Sequence, residues 1–233
     1  MKRLRNKKPS IKPEKTRTIF LSLELPEWLR ERLGEVQEEI SISGVQKFPD
    51  GSRIGAGRSS EINILWELPE KLHITLEYMG RITKSEYGIM LKVLKEKAND
   101  MNGFEINVGY LDYLYQRHGN GLIWARADGG NELIEWHRGL VKELNKNGFS
   151  VSEKKLVPHI TIGRLKRMRN DDQKRVLQAA TEKELPNLGT FMAEEVVVMS
   201  SKFRKDWKTT EYEVVERVSL KITNNKLQNS NKL

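Results

Sequence analysis

A chain of 233 residues, 37% hydrophobic and 31% charged, is sized for one large or bilobal domain with a real core. It holds no apolar run near the roughly 20 residues that span a bilayer, so a transmembrane helix and a membrane partner are excluded. It has no cysteine, which removes disulfides, thiolate zinc sites and a cysteine nucleophile together, and its net charge of +9 points to an acidic partner.

In chain order, residues 1–16 come first as a basic tail: Lys2, Arg3, Arg5, Lys7, Lys8, Lys12 and Lys15 stand against Glu14 alone. No apolar segment comes after it, so no secretory signal is expected and a cytoplasmic location is. Thr18 to Leu25 is rich in β-branched and aromatic residues and predicts a strand. Pro26 opens a helix over 27–40, where Trp28, Leu29, Leu33, Val36 and Ile40 recur at helical spacing. Residues 41–60, rich in Gly, Ser and Arg, are expected to form a loop. Residues 61–66 and 72–78 are extended, 84–98 a helix, and 104–114 a strand.

The second half repeats that order. A strand is predicted over 122–127, a helix over 131–145 ended by Asn147-Gly148, and a strand over 159–165. A helix over 171–184 and strands over 195–199 and 212–220 come next, and residues 221–233 form a second basic tail with Lys221, Lys226, Lys232 and no acid. The body between the tails is thus close to neutral, so the basicity marks no surface of the fold. Such tails can speed association with nucleic acid or simply be solvated ends. The repeat implies two similar lobes facing each other across a cleft.

Each half carries a His-Ile-Thr: Leu72-His73-Ile74-Thr75-Leu76 and Pro158-His159-Ile160-Thr161-Ile162. On a strand, side chains two apart share a face, so His73 with Thr75, and His159 with Thr161, point one way while the aliphatic residues point to a core. Phosphodiester cleavage needs one proton removed from the nucleophile and one given to the leaving oxygen. Two imidazoles with ordinary pKa values near 6.5 suit both roles around neutral pH. Threonine hydroxyls can donate to phosphoryl oxygens as charge builds, and Arg164 can grip a phosphate through parallel hydrogen bonds. One His-x-Thr in a strand is commonly structural. Two copies at equivalent places in a repeat, using two of the four histidines, are read as a site. No third ligand accompanies them and threonine is a poor one, so no metal is expected. Gly55-Ala56-Gly57 lacks the Gly-Lys-Ser/Thr of a nucleotide loop.

At these residues the chain resembles the two-histidine (2H) phosphoesterase superfamily, and within it the RNA 2′,3′-cyclic phosphodiesterases, historically called 2′–5′ RNA ligases. The resemblance runs from about Arg17 to Leu220. It is carried by Thr18-Ile-Phe-Leu-Ser-Leu-Glu-Leu-Pro26, Trp66-Glu-Leu-Pro-Glu-Lys-Leu-His73, Leu76 to Gly80, Gly121-Leu-Ile-Trp-Ala125, Val157-Pro-His-Ile-Thr-Ile-Gly-Arg164, and Ser200-Ser201 to Tyr212. It implies an α+β, bilobal fold: two pseudo-symmetric lobes of antiparallel sheet, helices outside, an active-site cleft between. Residues 17–220 would be one domain with 41–60 as a loop insertion. It implies hydrolysis of RNA 2′,3′-cyclic phosphate ends to 2′-phosphates without metal or cofactor, and a weak reversible 2′–5′ ligation, by a monomer. By the same analogy His159 activates water, His73 protonates the departing 3′ oxygen, and Thr75, Thr161 and Arg164 hold the phosphate.

The loop over 41–60 and both tails are longer than the family pattern; the loop reads first as a mobile insertion, with Lys47, Arg53 and Arg58 holding an RNA backbone as the alternative. Phe20 and Tyr212 are candidates to stack on a base, with a core role as the alternative. His118 reads as part of a surface turn, and His137 as exposed or helix-packing. Trp28, Trp124 and Trp136 are expected in the core or at the lobe interface. The same site could instead serve small cyclic nucleotides or 2′–5′ oligoadenylates, or bind nucleotide or RNA without turnover.

Overall fold

The computed structural model describes residues 14–43, 64–115, 120–165, 187–204 and 209–221. The expected helix over 171–184, His118, residues 44–60 of the expected loop and most of both tails lie outside them. In chain order the elements are β1 (Thr16–Glu24), α1 (Glu27–Ser43), β2 (Ile64–Trp66), a 3-10 turn (Pro69–Lys71), β3 (His73–Thr83), α2 (Lys84–Asn99) and β4 (Phe104–Tyr115). Then come β5 (Gly121–Asp128), α3 (Gly130–Lys146), β6 (His159–Leu165), β7 (Gly189–Ala193), β8 (Glu195–Arg204) and β9 (Thr209–Ser219).

The strands form one sheet in the order β7-β4-β5-β6-β3-β1-β8-β9, with β2 also on β6, and the ladders are antiparallel. The sheet divides into two four-stranded halves, β7-β4-β5-β6 and β3-β1-β8-β9. Between β3 and β6 the ladder has one pair, Ile74 opposite Ile160. The register repeats across that joint. In one half Glu24, Leu23 and Ser22 stand opposite His73, Ile74 and Thr75; in the other Arg126, Ala125 and Trp124 stand opposite His159, Ile160 and Thr161. Directly after each threonine the register slips by one residue, at Leu76 and at Ile162. Such a bulge bends the strand and re-aims the side chains beyond it. The expected two-lobed antiparallel architecture is thus present, with C-terminal strands β8 and β9 completing the N-terminal half.

The helices form because their apolar residues make one stripe. Leu29, Leu33, Val36 and Ile40 of α1, Met90, Val93, Leu94 and Ala98 of α2, and Leu133, Trp136, Leu140 and Leu144 of α3 are all buried. They meet Leu21, Leu23, Ile74, Leu76, Ile160 and Ile162 from the sheet in one core. Thr83 and Glu86 close a reciprocal capping box at the start of α2. The expected C-cap of α3 is found at Asn147, with Gly148 at φ 93°. On the other side of β1 a small cluster of Phe20, Val197 and Met199, with Tyr212 against it, backs the face that carries His73.

The differences from the sequence expectation have local causes. Helix α1 runs to Ser43, so the start of the expected loop over 41–60 is helical. Strand β7 was not expected; its five residues pair with β4 and close that half of the sheet. Trp28 is partly exposed and outside the core, and takes the lobe-interface alternative: its indole reaches Gly189 of β7, in the other half, lying 2.6 Å from where a Cβ there would stand. Trp136 is buried as expected, its Nε1 donating to Lys97 O at 3.0 Å. Of the two alternatives for His137 the packed one holds: it is buried on α3, with Nε2 3.0 Å from Glu77 Oε2. Glu77 pairs with core-facing Leu21 because the bulge at Leu76 turns it toward the helices.

Candidate active site

Six of the residues singled out from sequence line one small cavity. His73, Thr75, His159, Thr161, Arg164 and Tyr212 surround about 100 Å³, joined by Glu67 and Lys71. The strand pattern accounts for this convergence. Ile74 and Ile160, each flanked by its histidine and threonine, are opposite one another across the lobe joint and wholly buried. Their neighbours therefore emerge together on the opposite face.

Each imidazole is oriented the same way. His73 Nδ1 lies 2.7 Å from Lys71 O, and His159 Nδ1 lies 2.8 Å from Val157 O. A carbonyl can only accept, so both rings carry their proton on Nδ1 when neutral and keep the Nε2 lone pair for chemistry. His73 Nε2 sits 3.1 Å from Thr75 Oγ1, whose hydroxyl donates to the neutral ring.

The aromatic surroundings of the two rings differ. His73 packs against Phe20 at 5.1 Å and edge-on to Tyr212 at 5.3 Å between centroids. His159 packs against Trp124 at 4.5 Å. Burial pushes the His73 imidazole below its ordinary 6.5, opposed by the Lys71 carbonyl and the Glu67 carboxylate and assisted by the charges of Arg164 and His159. Burial also raises the Tyr212 phenol, with Glu67 adding to the rise.

Arg164 Nε donates to Glu67 Oε1 at 2.6 Å. Gln37, buried on α1, donates from Nε2 at 2.8 Å both to Glu67 O and to Ile162 O, the carbonyl of the bulge. Glu67 N also bonds Ile162 O, at 2.9 Å. Gly163 makes room for this strand: a Cβ there would lie 2.9 Å from Trp66 Cε3 and 3.0 Å from Ile64 Cγ2. Helix α1 and β2 thus fix the arginine against the second motif.

The structure corrects one sequence reading of the site. Phe20 is 4% exposed and packed under His73, so it cannot stack on a base. Tyr212 is half-buried and keeps a place on the cavity wall. Glu67, Lys71 and Trp124 were missed as site residues. Glu67 and Lys71 lie within seven residues of His73, and Trp124 is read as core only because an indole's partner is invisible in sequence. Among the described residues no group of three or more His, Cys, Asp or Glu comes together as a metal site. The array can take one proton, give another and hold an anion between them.

Residues 68–202, more than half of the chain, match the model of the 2'-5' RNA ligase superfamily. An RNA 2',3'-cyclic phosphodiesterase of Methanothermobacter thermautotrophicus is 24% identical over 154 residues, covering 66% of this chain and 74% of that protein. One of the same name from Methanocaldococcus jannaschii is 23% identical over 183 residues, covering 78% and 90%. Among solved structures, LigT of E. coli complexed with 3'-AMP superposes with a TM-score of 0.58 at 18% identity, over 88% of this chain and 99% of that one.

Proposed function

The chain belongs to the 2'-5' RNA ligase superfamily, and from that premise we propose that it hydrolyses RNA 2′,3′-cyclic phosphate ends to 2′-phosphates by two-histidine general acid–base catalysis. The observation that carries this reading is the meeting of two His-Thr pairs, one from each half of the sheet, with Arg164 around one cavity. The curated relatives bear the same activity in their names.

In the forward reaction the cyclic phosphate lies between the histidines. His159 Nε2 takes a proton from water as its oxygen bonds to phosphorus. The P–O3′ bond breaks, and protonated His73 delivers its Nε2 proton to the 3′ oxygen. Thr75, Thr161 and Arg164 hold the non-bridging oxygens as charge accumulates. Because Nδ1 of each ring is committed to a carbonyl, the proton enters and leaves at Nε2. With the 5′-hydroxyl of a second RNA in place of water, its oxygen bonds to phosphorus as the P–O3′ bond breaks and the 3′ oxygen takes a proton, so the same exchange gives a 2′–5′ linkage; reversal of that step cleaves it.

We place this activity in one domain spanning about 17–220, working as a monomer in the cytoplasm. No helix among the described residues is long and apolar enough to cross a membrane. The test is an oligoribonucleotide ending in a 2′,3′-cyclic phosphate, incubated in EDTA. Wild type should release a 2′-phosphate end, and His73→Ala and His159→Ala should each lower kcat by about 100-fold or more. Near-normal turnover by either variant overturns the two-histidine mechanism. A mononucleotide cyclic phosphate turned over much faster than the RNA end would move the substrate to small nucleotides.

A further inference from the structure

We propose that Tyr110 and Arg126 form the seat for the nucleobase of the nucleoside that carries the cyclic phosphate. The inference rests on the phosphodiesterase reading above and names a subsite that the phosphate cavity does not contain.

The position follows from the register. Arg126 on β5 is the direct partner of His159 on β6, so its side chain leaves the sheet on the same face as that imidazole. Trp124, two residues earlier, stands opposite Thr161 and touches His159, which agrees with that face. One strand further out, β4 is irregular. Between Val108 and Leu111, Gly109 and Tyr110 are set against Arg126 alone. That irregularity brings the phenol ring beneath the guanidinium, whose Cζ lies 5.1 Å from the ring centroid.

The guanidinium is also fixed at its edge. Asp112 Oδ2 accepts from Nη2 at 3.2 Å and from Nε at 3.4 Å. A planar cation backed by an aromatic ring and tied to a carboxylate is held flat before any ligand arrives. Tyr110 is 56% exposed and the Arg126 side chain 55% exposed, so the flat surface is open to solvent. Nucleobases stack on arginine planes and aromatic faces whatever their sequence. The two rings expected from sequence to do this are not available in the same way: Phe20 is buried, and Tyr212 packs edge-on to both Phe20 and His73. Moving outward from the phosphate cavity, the row His159, Arg126, Tyr110 runs across three neighbouring strands. A ribose bridging phosphate and base spans such a row.

Among the described residues the strands of the other half expose two rings, Tyr78, opposite Phe20 near the His73 face, and Phe203, opposite Thr210 toward the end of β8. No guanidinium is stacked on Tyr78 among the described residues, so it serves as the competing arm of the test.

The experiment compares a nucleoside 2′,3′-cyclic phosphate with a base-free 1-O-methylribose 2,3-cyclic phosphate, using wild type, Tyr110→Ala, Tyr110→Phe, Arg126→Ala and Tyr78→Ala. Tyr110→Ala and Arg126→Ala should each raise KM for the nucleotide about tenfold with kcat little changed, while Tyr110→Phe stays near wild type. Their loss should be absent on the base-free substrate. Equal loss on both substrates, no loss on the nucleotide, or a loss that appears in Tyr78→Ala instead overturns the assignment. A wild-type protein that turns over neither substrate overturns the phosphodiesterase reading itself, a result distinct from all of these.

Discussion

Removing Arg164 should harm the enzyme more than the loss of one phosphate contact explains, and removing Glu67 as well should give part of the activity back. Arg164 Nε and Glu67 Oε1 are 2.6 Å apart, with side chains 45% and 19% exposed. A charge-assisted hydrogen bond to a phosphate oxygen contributes about 1.5–3 kcal/mol, so Arg164→Ala loses roughly 10- to 150-fold in kcat/KM on that account. The substitution also leaves an unpaired carboxylate on the wall of an anion site. At ~6 Å and an effective dielectric of about 20, carboxylate and phosphate repel by about 3 kcal/mol. Solvent at a partly open pair reduces this to about 1 kcal/mol, or roughly fivefold. Glu67→Gln in the Arg164→Ala background should therefore recover about fivefold in kcat/KM. The assay is initial-rate hydrolysis of a nucleoside 2′,3′-cyclic phosphate at fixed ionic strength, with all four members of the cycle. A double variant no better than Arg164→Ala refutes the account of Glu67 as a charge balanced by the arginine.

Two further outcomes concern stability. Burial holds the folded-state His73 pKa below 6.5, so between the two values the unfolded chain binds more proton. This group therefore adds stability above about pH 6.5 that is lost as pH falls through the folded value; urea denaturation from about pH 7.5 to about pH 5 should show the decline, and His73→Gln should flatten it. Gly163→Ala sets a methyl 2.9 Å from the Trp66 ring and should cost about 1–3 kcal/mol in the same assay while raising KM through the displaced Glu67 strand; an unchanged midpoint and KM would show that β2 yields freely.

Most of this site was legible because its logic is local. A histidine and a threonine two apart on an amphipathic strand state both their shared face and the burial of the isoleucine between them. Repetition of that pattern stated that two such faces exist. What the sequence could not state was the partner strand. Whether Phe20 faces a ligand or lies beneath His73 depends on the register of β1 against β3 and on the cover supplied by β9. Trp124 and Arg126 owe their roles to lying opposite Thr161 and His159, a pairing set by β5 and β6 together. Glu77 obeys the same rule in reverse. Alternation from His73 and Thr75 would send it to the cleft, and the bulge at Leu76 sends it to His137 instead. Strand β7 escaped notice because five residues between Gly189 and Ala193 are too short for alternation to register.

The place of β1 between β3 and β8 has a consequence for the order in which the molecule can be built. Its partners on one side arrive soon after it is synthesised, but Thr18 to Ser22 pair on the other side with residues 197–201. The half that carries His159 is assembled largely from neighbours in sequence, β4, β5 and β6. The half that carries His73 must wait, with a strand of buried residues exposing one edge, until the C-terminal hairpin is made. Long-range closure of this kind slows folding and leaves a sticky edge open in the interval. Tyr212, which walls the first histidine, is therefore among the last parts of the site to arrive, so a nascent chain has the half that carries His159 well before the surroundings of His73 are complete.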